Sequence, residues 1–434
     1  MGVTFPEALH PLVQQVEAHA YAQPPLAIEA ARQLLRQCHS PEHLAYLYEQ
    51  LGFAHLILGE HRLSCLFYEQ ARALQPPNMY VLANLAHALY ELGERGRALE
   101  IGREALQLKD ALACQAAGAA PEPLLPPAQG PQNLVSFSLY GDWPRYCEMA
   151  VLNVLAVQRH LPDFVCRFYI DDAVPPALVQ RLQGLGAQCI DMGPQAGSMP
   201  RTFWRFLAID DPRADRVLVR DVDALIDARE AWCVRDWMQS ELPFHILRDD
   251  CCHTELILAG LWGIRSGLLG GVRERILAFL ECNGETGWKR YGDQLFLRQA
   301  LWPAVRAHAL THDTVYGFGQ HVHAVGYAPE PSHGPRNSFM GANHATAQID
   351  CTLDEVLPPG TRVVVRVTDA AGTLVCCHPM RAVAGTPGQW RVQLPQLYAD
   401  RLQGGQWQVQ VSAQTHAQGL GAGSTDPLLL GIAG

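Results

Sequence analysis

Apolar positions along this chain change their spacing three times. Up to about residue 117 they recur in a long repeat. Aligning the text from Ala45 with that from Met79 sets Leu51 over Leu85, Gly52 over Ala86, Gly59 over Gly93, Ser64 over Ala98 and Ala71 over Ala105, always 34 residues apart. The small residues let paired helices approach closely, and the Gly suits the left-handed turn that ends a first helix. A degenerate earlier unit has Ala30 in AIEAARQLLRQ as its second helix. About three units is near the minimum for a stable array, because each buries its apolar face on a neighbour.

The stretch GAAPEPLLPPAQGPQ (118–132), with five prolines in fifteen residues, holds neither a regular helix nor a central strand and reads as a linker. From 133 to 347 short apolar runs alternate with helical stretches: LVSFSL, then YCEMAVLNVLAVQRHL, VCRFYID, PPALVQRLQGLG, CIDM, TFWRFLAID, RVLVRDVD and FHILRD. That alternation predicts βαβ units of a nucleotide-binding α/β domain. From 348 to 434 the period becomes two, in RVVVRVTD, AGTLVCCHPM, WRVQLP and WQVQVSA between Gly-rich turns, which predicts a small antiparallel β module.

Composition narrows the partners. The 434 residues carry a net charge of −10 from 33 basic and 43 acidic side chains, with no basic run of the kind that neutralises phosphates along a nucleic acid. The 13 cysteines are scattered, and Cys251-Cys252 and Cys376-Cys377 are adjacent, so they read as buried thiols of a reducing compartment. The start MGVTFPEALHPLV lacks a basic segment before an apolar core, and no apolar run approaches the ~18 residues a membrane span needs. The expectation is a cytoplasmic protein.

The candidate chemistry centres on Arg220-Asp221-Val222-Asp223, where the apolar run Val217-Leu218-Val219 meets a loop. Ligands of open α/β sheets sit beyond the carboxyl ends of strands. Two carboxylates one residue apart suit hard cations such as Mg²⁺ or Mn²⁺, which bridge the phosphates of a diphosphate. In an extended strand both would point the same way. Arg205 lies sixteen residues upstream in MPRTFWRFLAID, and ILAGLWGIRSG, YGDQLFLRQALWP and THDTVYGFGQH follow downstream.

Two family resemblances organise these motifs. The 34-residue unit resembles the tetratricopeptide repeat, which implies a concave face for a protein partner or a spacer docked on the next domain. The order from Asn133 to Ala328 resembles a GT-A glycosyltransferase, nearest to metal-dependent bacterial and glycogenin-like retaining enzymes. The chain thus reads as multidomain: α-helical repeats, a Rossmann-like GT-A nucleotide-sugar domain, and a small antiparallel β module. The resemblance implies that Asp221 and Asp223 bind Mn²⁺ or Mg²⁺ and the donor diphosphate, that Arg205 supports the donor, and that Asp293 and Gln294 lie near the reacting sugar. It also implies His312 as the late metal ligand, with His321 and His323 competing for that role.

Other residues are expected around the donor. Ser138, Tyr140 and Asp142 follow the first strand, with Tyr140 to stack on a base and Asp142 to accept from it. Arg220 adjoins the carboxylates, Arg248 offers a partner for Asp221 or a phosphate, Asp249 is a candidate base or hydroxyl-orienting group, with a structural ion pair the equal alternative for this cluster, Gly260 allows close approach to a sugar, and Trp262 offers an apolar platform or a core residue. The Gly-x-x-Lys-Pro-Trp phosphate loop of the lipooligosaccharide galactosyltransferases is missing, which leaves Arg336 in SHGPRNSF as a phosphate partner. The resulting expectation is metal-dependent transfer of a hexose from a nucleoside diphosphate sugar to a protein or glycan acceptor. The alternatives are a non-catalytic binding scaffold and a nucleotidyltransferase; against the latter, no G-x-G-x-R-like loop follows LVSFSL.

Overall fold

The computed structural model describes residues 3–75, 78–117, 123–195, 197–326, 340–342, 346–352, 357 and 362–414. In chain order the first elements are helices α1 (His10–His19), α2 (Pro24–Leu35), α3 (Pro41–Ile57), α4 (His61–Leu74), α5 (Met79–Glu91) and α6 (Arg95–Ala117). Then come β1 (Gln132–Leu139), α7 (Pro144–His160), β2 (Phe164–Ile170), α8 (Pro176–Gly184), β3 (Gln188–Asp191), β4 (Ala214–Arg220), α9 (Ala228–Gln239), β5 (Phe244–Arg248) and β6 (Leu261–Arg265). Short helices α10 (Val272–Asn283), α11 (Glu285–Trp288), α12 (Gly292–Phe296) and α13 (Trp302–Val305) lead to β7 (Ala309–Asp313) and β8 (His321–His323). The last are β9 (Thr346–Thr352), β10 (Arg362–Asp369), β11 (Leu374–Pro379), β12 (Arg381–Ala382), β13 (Gln389–Pro395), α14 (Gln396–Gln403) and β14 (Trp407–Gln414).

They group into two compact units. One comprises Met1–Pro131, Ile209–Val219 and Ala228–Met340; the other comprises Gln132–Ala208, Arg220–Asp227 and Gly341–Gly434. One boundary between the units falls at Pro131/Gln132, and two segments of the first unit, Ile209–Val219 and Ala228–Met340, lie in sequence between the three pieces of the second.

In the first unit the 34-residue repeat is visible in backbone hydrogen bonds. Gly59 (φ 73°) and Gly93 (φ 81°) are both left-handed. Gly59 N–H donates to Leu56 O (3.0 Å) and Glu60 N–H to His55 O (2.9 Å); Gly93 to Tyr90 O (2.9 Å) and Glu94 to Leu89 O (2.9 Å) repeat the pattern. This paired capping satisfies the orphan carbonyls at the ends of α3 and α5. Gly52 faces the Tyr68 ring, which an added Cβ would meet at 2.8 Å, so the small residue at this position is a packing requirement.

These helices are fastened to the rest of their unit. The buried Lys109 ammonium donates to Thr254 O (2.8 Å) and pairs with Glu255 (2.6 Å). Arg298 donates to Tyr80 Oη (2.9 Å) and Trp302 Nε1 to Asp110 (2.7 Å). The Pro-rich stretch is laid down as well: Leu125 N–H donates to Leu268 O (3.0 Å) and Ala128 N–H to Ser266 O (2.8 Å), while 118–122 lie outside the described residues. The strands of this unit run in the order β4-β6-β5-β7-β8. Strand β5 is antiparallel to β6 and parallel to β7, and β7 is parallel to β8. Every residue of β5 and β7 is buried, as in strands covered on both faces.

In the second unit β3, β2 and β1 pair in parallel. The expected C-terminal strands are present as two three-stranded sheets, β11-β10-β14 and β12-β13-β9, with antiparallel pairs. Val363, Val365 and Val367 fill their core at the predicted period of two. The module starts at β9, and α14 interrupts it; neither was apparent in the alternation.

One buried carboxylate bolts this module to α7. Glu148 accepts from His378 Nε2 (2.6 Å), Tyr398 Oη (2.5 Å) and Arg181 Nη1 (2.9 Å). Burial opposes its charge, but these partners prevail and hold the Glu148 carboxyl below its ordinary range. Among the described residues no helix is long and apolar enough to cross a membrane. Removing one member of a buried charge cluster leaves the rest uncompensated, so Glu148→Ala is expected to cost roughly 3–5 kcal/mol in chemical denaturation. A loss below about 1 kcal/mol would show that the network does not hold the module.

Candidate functional site

The site is built at the C-terminal end of β1. Ser136 and Ser138, on one face of that strand, latch a 3₁₀ stretch (Arg201–Asp210): Ser136 Oγ donates to Arg205 O (2.7 Å), and Ser138 Oγ accepts from Arg205 N–H (3.1 Å). The loop after β1 turns at Gly141 (φ 77°), whose N–H donates to the buried Asp171 carboxylate (3.0 Å). Asp171 also lies 3.4 Å from Arg201. Tyr140 meets Trp204 edge-on at 6.2 Å, and the Arg201 guanidinium sits 5.6 Å from the Tyr140 ring.

Asp221 and Asp223 leave β4 in a turn, where an extended strand was expected; Ala224 N–H donates back to Asp221 O (3.3 Å). Asn153 of α7, fully buried, sets this turn. Its amide donates to Val222 O and Ala224 O (both 3.0 Å), and its Oδ1 accepts from Ile226 N–H (3.3 Å). Arg205 Nη1 pairs with Asp221, while Arg145 in the first turn of α7 lies 3.6 Å from Asp223.

These side chains line one cleft of about 400 Å³, walled by Ser138, Tyr140, Tyr146, Arg201, Arg205, Asp221 and Asp223 among others. In the cleft wall two arginines, Arg201 and Arg205, face two carboxylates, Asp221 and Asp223, so groups of both signs stand close together there. The amino end of α7 adds partial positive charge.

The carboxylate pair fits a divalent cation. Asp223 is the deeper member, with 18% of its side chain exposed against 43% for Asp221. Burial, with the charge of Asp221 adding to it, raises the Asp223 carboxyl above its ordinary range despite Arg145 and Arg205. A hard cation would relieve that repulsion, with water and phosphate oxygens completing its shell.

The other residues expected from sequence divide unevenly. Arg205, Ser138 and Tyr140 line the cleft; Arg220 is buried and does not. Asp142 is exposed and pairs with Arg381 of the β module (2.9 Å), so it stands outside the cleft wall. Residues 249, 260, 262, 293, 294 and 312 belong to the other unit. There Trp262 is a fully buried core residue of β6 and offers no exposed platform. Arg248, also fully buried, is matched to Asp313 (3.0 Å) and to the carbonyls of Leu256 (2.7 Å) and Phe318; this structural ion pair replaces the expected phosphate role.

Asp249 holds Met340 N–H through both oxygens (3.1 and 3.0 Å) and pairs with Arg229 (3.1 Å), which makes it an anchor for that segment rather than a group poised as a base. Gln294 accepts from Ala259 N–H (3.0 Å) and donates to Ile257 O, so its amide braces the loop that leads through the buried Gly260 into β6. Asp293 is buried, and its Oδ1 accepts from Gln294 N–H (2.9 Å). His312 has both ring nitrogens engaged, with His245 (2.9 Å) and Asp236 (3.1 Å). Arg336 lies outside the described residues.

Sequence reasoning passed over Arg145, Asn153, Asp171 and Arg201. Arg201 alone carried a local signal, four residues before Arg205 on the same helical stretch. Asn153 and Asp171 act by reaching backbone groups of distant loops, which no local pattern announces.

No protein-family model matches the chain, and no curated protein matches it in sequence. Among solved structures it is similar to a galactosyltransferase, LgtC, in complex with donor and acceptor sugar analogs: 16% identity over 42% of this chain and 73% of that one, TM-score 0.32. It is similar to the mannosyltransferase PcManGT of Pyrobaculum calidifontis in complex with GDP-Man and Mn²⁺: 16% identity over 58% and 70%, TM-score 0.30. A mutant O-GlcNAc transferase of Thermobaculum terrenum gives 18% identity over 44% and 42%, TM-score 0.23, so the chain spans less than half of that protein. Likeness at this level carries no weight for activity, and the functional reading rests on the geometry of the cleft.

Two outcomes follow. Because Asp223 binds its proton more tightly folded than unfolded, its ionised form costs stability at neutral pH. Asp223→Asn is expected to leave the thermal midpoint of the metal-free protein unchanged or raised; a clear drop would contradict the electrostatic picture. In the other unit, burial first, with Arg248 and Arg229 adding, pushes His253 down to about 4, and its Nδ1 accepts from Asp249 N–H (3.1 Å). The unfolded chain then takes up this proton from about pH 6.5, so the stability is present above that pH and lost as pH falls toward 4. Between pH 6.5 and 5 the loss is on the order of 2 kcal/mol, and His253→Gln is expected to remove it. An identical pH slope in the variant would overturn the assignment.

Proposed function

We propose that the cleft binds the diphosphate of a nucleoside diphosphate sugar with Mn²⁺ or Mg²⁺, and that the protein is a GT-A glycosyltransferase of the hexosyl-transferring kind. The observation that carries this reading is the placement of Asp221 and Asp223 together with Arg201 and Arg205 in one cleft, rimmed by Tyr140 and Tyr146. Carboxylates alone would suit a cation and arginines alone an anion. Both together suit an anion that brings a cation with it.

In this reading Asp221 and Asp223 hold the metal, and neither moves a proton. The metal supplies charge neutralisation to the departing diphosphate. Arg205, fixed by the two serines of β1, and Arg201, anchored by Asp171, donate to phosphate oxygens as negative charge builds on the leaving group. Donors fixed before the reaction are the usual source of the largest catalytic term. Tyr140 offers a ring face for the base, and Ser138 reaches the same wall. Asn153 positions the carboxylates through the backbone between and after them.

The roles of Asp293 and Gln294 near the sugar, and the retaining outcome, remain part of the proposal on resemblance alone. The helical region is read as a tetratricopeptide array, supported by the matching caps at Gly59 and Gly93, and a protein acceptor or partner recruited there belongs to the same proposal. The test is a thermal-shift screen of nucleoside diphosphate sugars with and without Mn²⁺. A ligand that binds only the folded state stabilises it by about 2.7 kcal/mol at 100 times its Kd. At least one sugar nucleotide is expected to raise the midpoint only with Mn²⁺, and Asp223→Asn to abolish the rise. A screen with no metal-dependent shift for any donor would contradict the proposal.

A further inference from the structure

Three imidazoles lie in a row across adjacent strands of the first unit. In the β7–β8 register His312 stands opposite His323, so the two side chains leave the sheet on one face. His245 on β5 follows, with ring centroids 5.0 Å from His312, itself 5.9 Å from His323. Helix α9 covers this row with Trp232 and Asp236, four residues apart on one helical face: Trp232 meets His312 edge-on at 5.8 Å. Asp236 Oδ2 lies 3.1 Å from His312 Nε2 and 2.7 Å from His323 Nδ1.

We propose that Asp236, His312 and His323 form a binding site for a divalent transition-metal ion of the Zn²⁺ class, which ties the three-residue edge strand β8 to α9. One oxygen or nitrogen from each lies within 4.8 Å of the other two. Ligand atoms around a tetrahedral Zn²⁺ stand about 3.3 Å apart, so small side-chain shifts open the space for an ion. Two imidazoles and one carboxylate suit Zn²⁺ and its neighbours better than Mg²⁺ or Ca²⁺.

The buried ligand is already oriented. His312 Nδ1 lies 2.9 Å from His245 Nε2, so His245 accepts the Nδ1 proton of His312 once Nε2 carries the ion. A histidine ligand fixed through its other nitrogen is the usual arrangement at protein metal sites. His323 is half-exposed and Asp236 partly so, which gives the ion a path from solvent and room for a water as fourth ligand. The other ligand-type cluster among the described residues, Glu148 with Cys376 and His378, differs in that Arg181 already neutralises its carboxylate. The inference involves neither Asp221 nor Asp223, and it gives His312 and His323 a site of their own in place of the late-ligand role that the resemblance implies for one of them.

The experiment is a Zn²⁺ titration of the full chain after chelator treatment, by competition with a chromophoric chelator, in an Asp221→Asn, Asp223→Asn background. One ion per chain is expected, with a raised thermal midpoint. His323→Ala, an exposed position that leaves the core intact, is expected to weaken binding by on the order of 100-fold or more, as is the isosteric Asp236→Asn. The neighbouring exposed His321→Ala is expected to leave it unchanged. Absence of stoichiometric binding in the background protein overturns the proposal. So does retention of affinity in His323→Ala, or its loss in His321→Ala.

Discussion

Keeping Asp221 and Asp223 side by side in a partly buried turn is the constraint on which the site depends. Two carboxylates repel, and burial of Asp223 adds to the cost. The fold meets that cost locally. Asn153 fixes the backbone of the turn, Arg205 pairs with the exposed member, and Arg145 stands near the buried one. Two serines of β1 then hold the stretch that carries Arg205.

The same economy of single buried charges recurs away from the cleft. Lys109 fastens the helical region to residues 254 and 255, and Glu148 fastens the β module to α7. Each stands where a segment of distinct sequence pattern meets its neighbour. Buried ions satisfied from several sides are poor sources of net stability but strict about geometry. Within each unit these contacts join segments of distinct sequence pattern, and the Pro-rich stretch donates backbone hydrogen bonds from Leu125 and Ala128.

Elements with a strong period were legible in the sequence. The 34-residue helical unit, the buried strands β1, β2, β4 and β5, and the alternating strands β10, β11, β13 and β14 follow from apolar spacing alone, whereas β7 is not read as a strand from the sequence. What the pattern does not contain is the long-range partner of a polar residue. Arg248 at a strand end looks like a phosphate ligand until Asp313 is seen to neutralise it, and Trp262 looks like a sugar platform until β6 is seen to be buried. His312 looked like the late metal ligand of the carboxylate pair, and its neighbours are Asp236, His245 and His323. Conversely, Arg201 and Asn153 matter because of groups 30 or more residues away, at Asp171 and at Val222.

The central claim is that Asp221 and Asp223 jointly hold a cation to which a diphosphate is bound. The most direct measurement is anomalous diffraction at the manganese edge from crystals grown with Mn²⁺ and a nucleoside diphosphate. The account predicts an anomalous peak bridging Asp221 and Asp223, with phosphate density against Arg205 and Arg201. A diphosphate bound elsewhere, or bound in this cleft with no manganese at the two carboxylates, would contradict it.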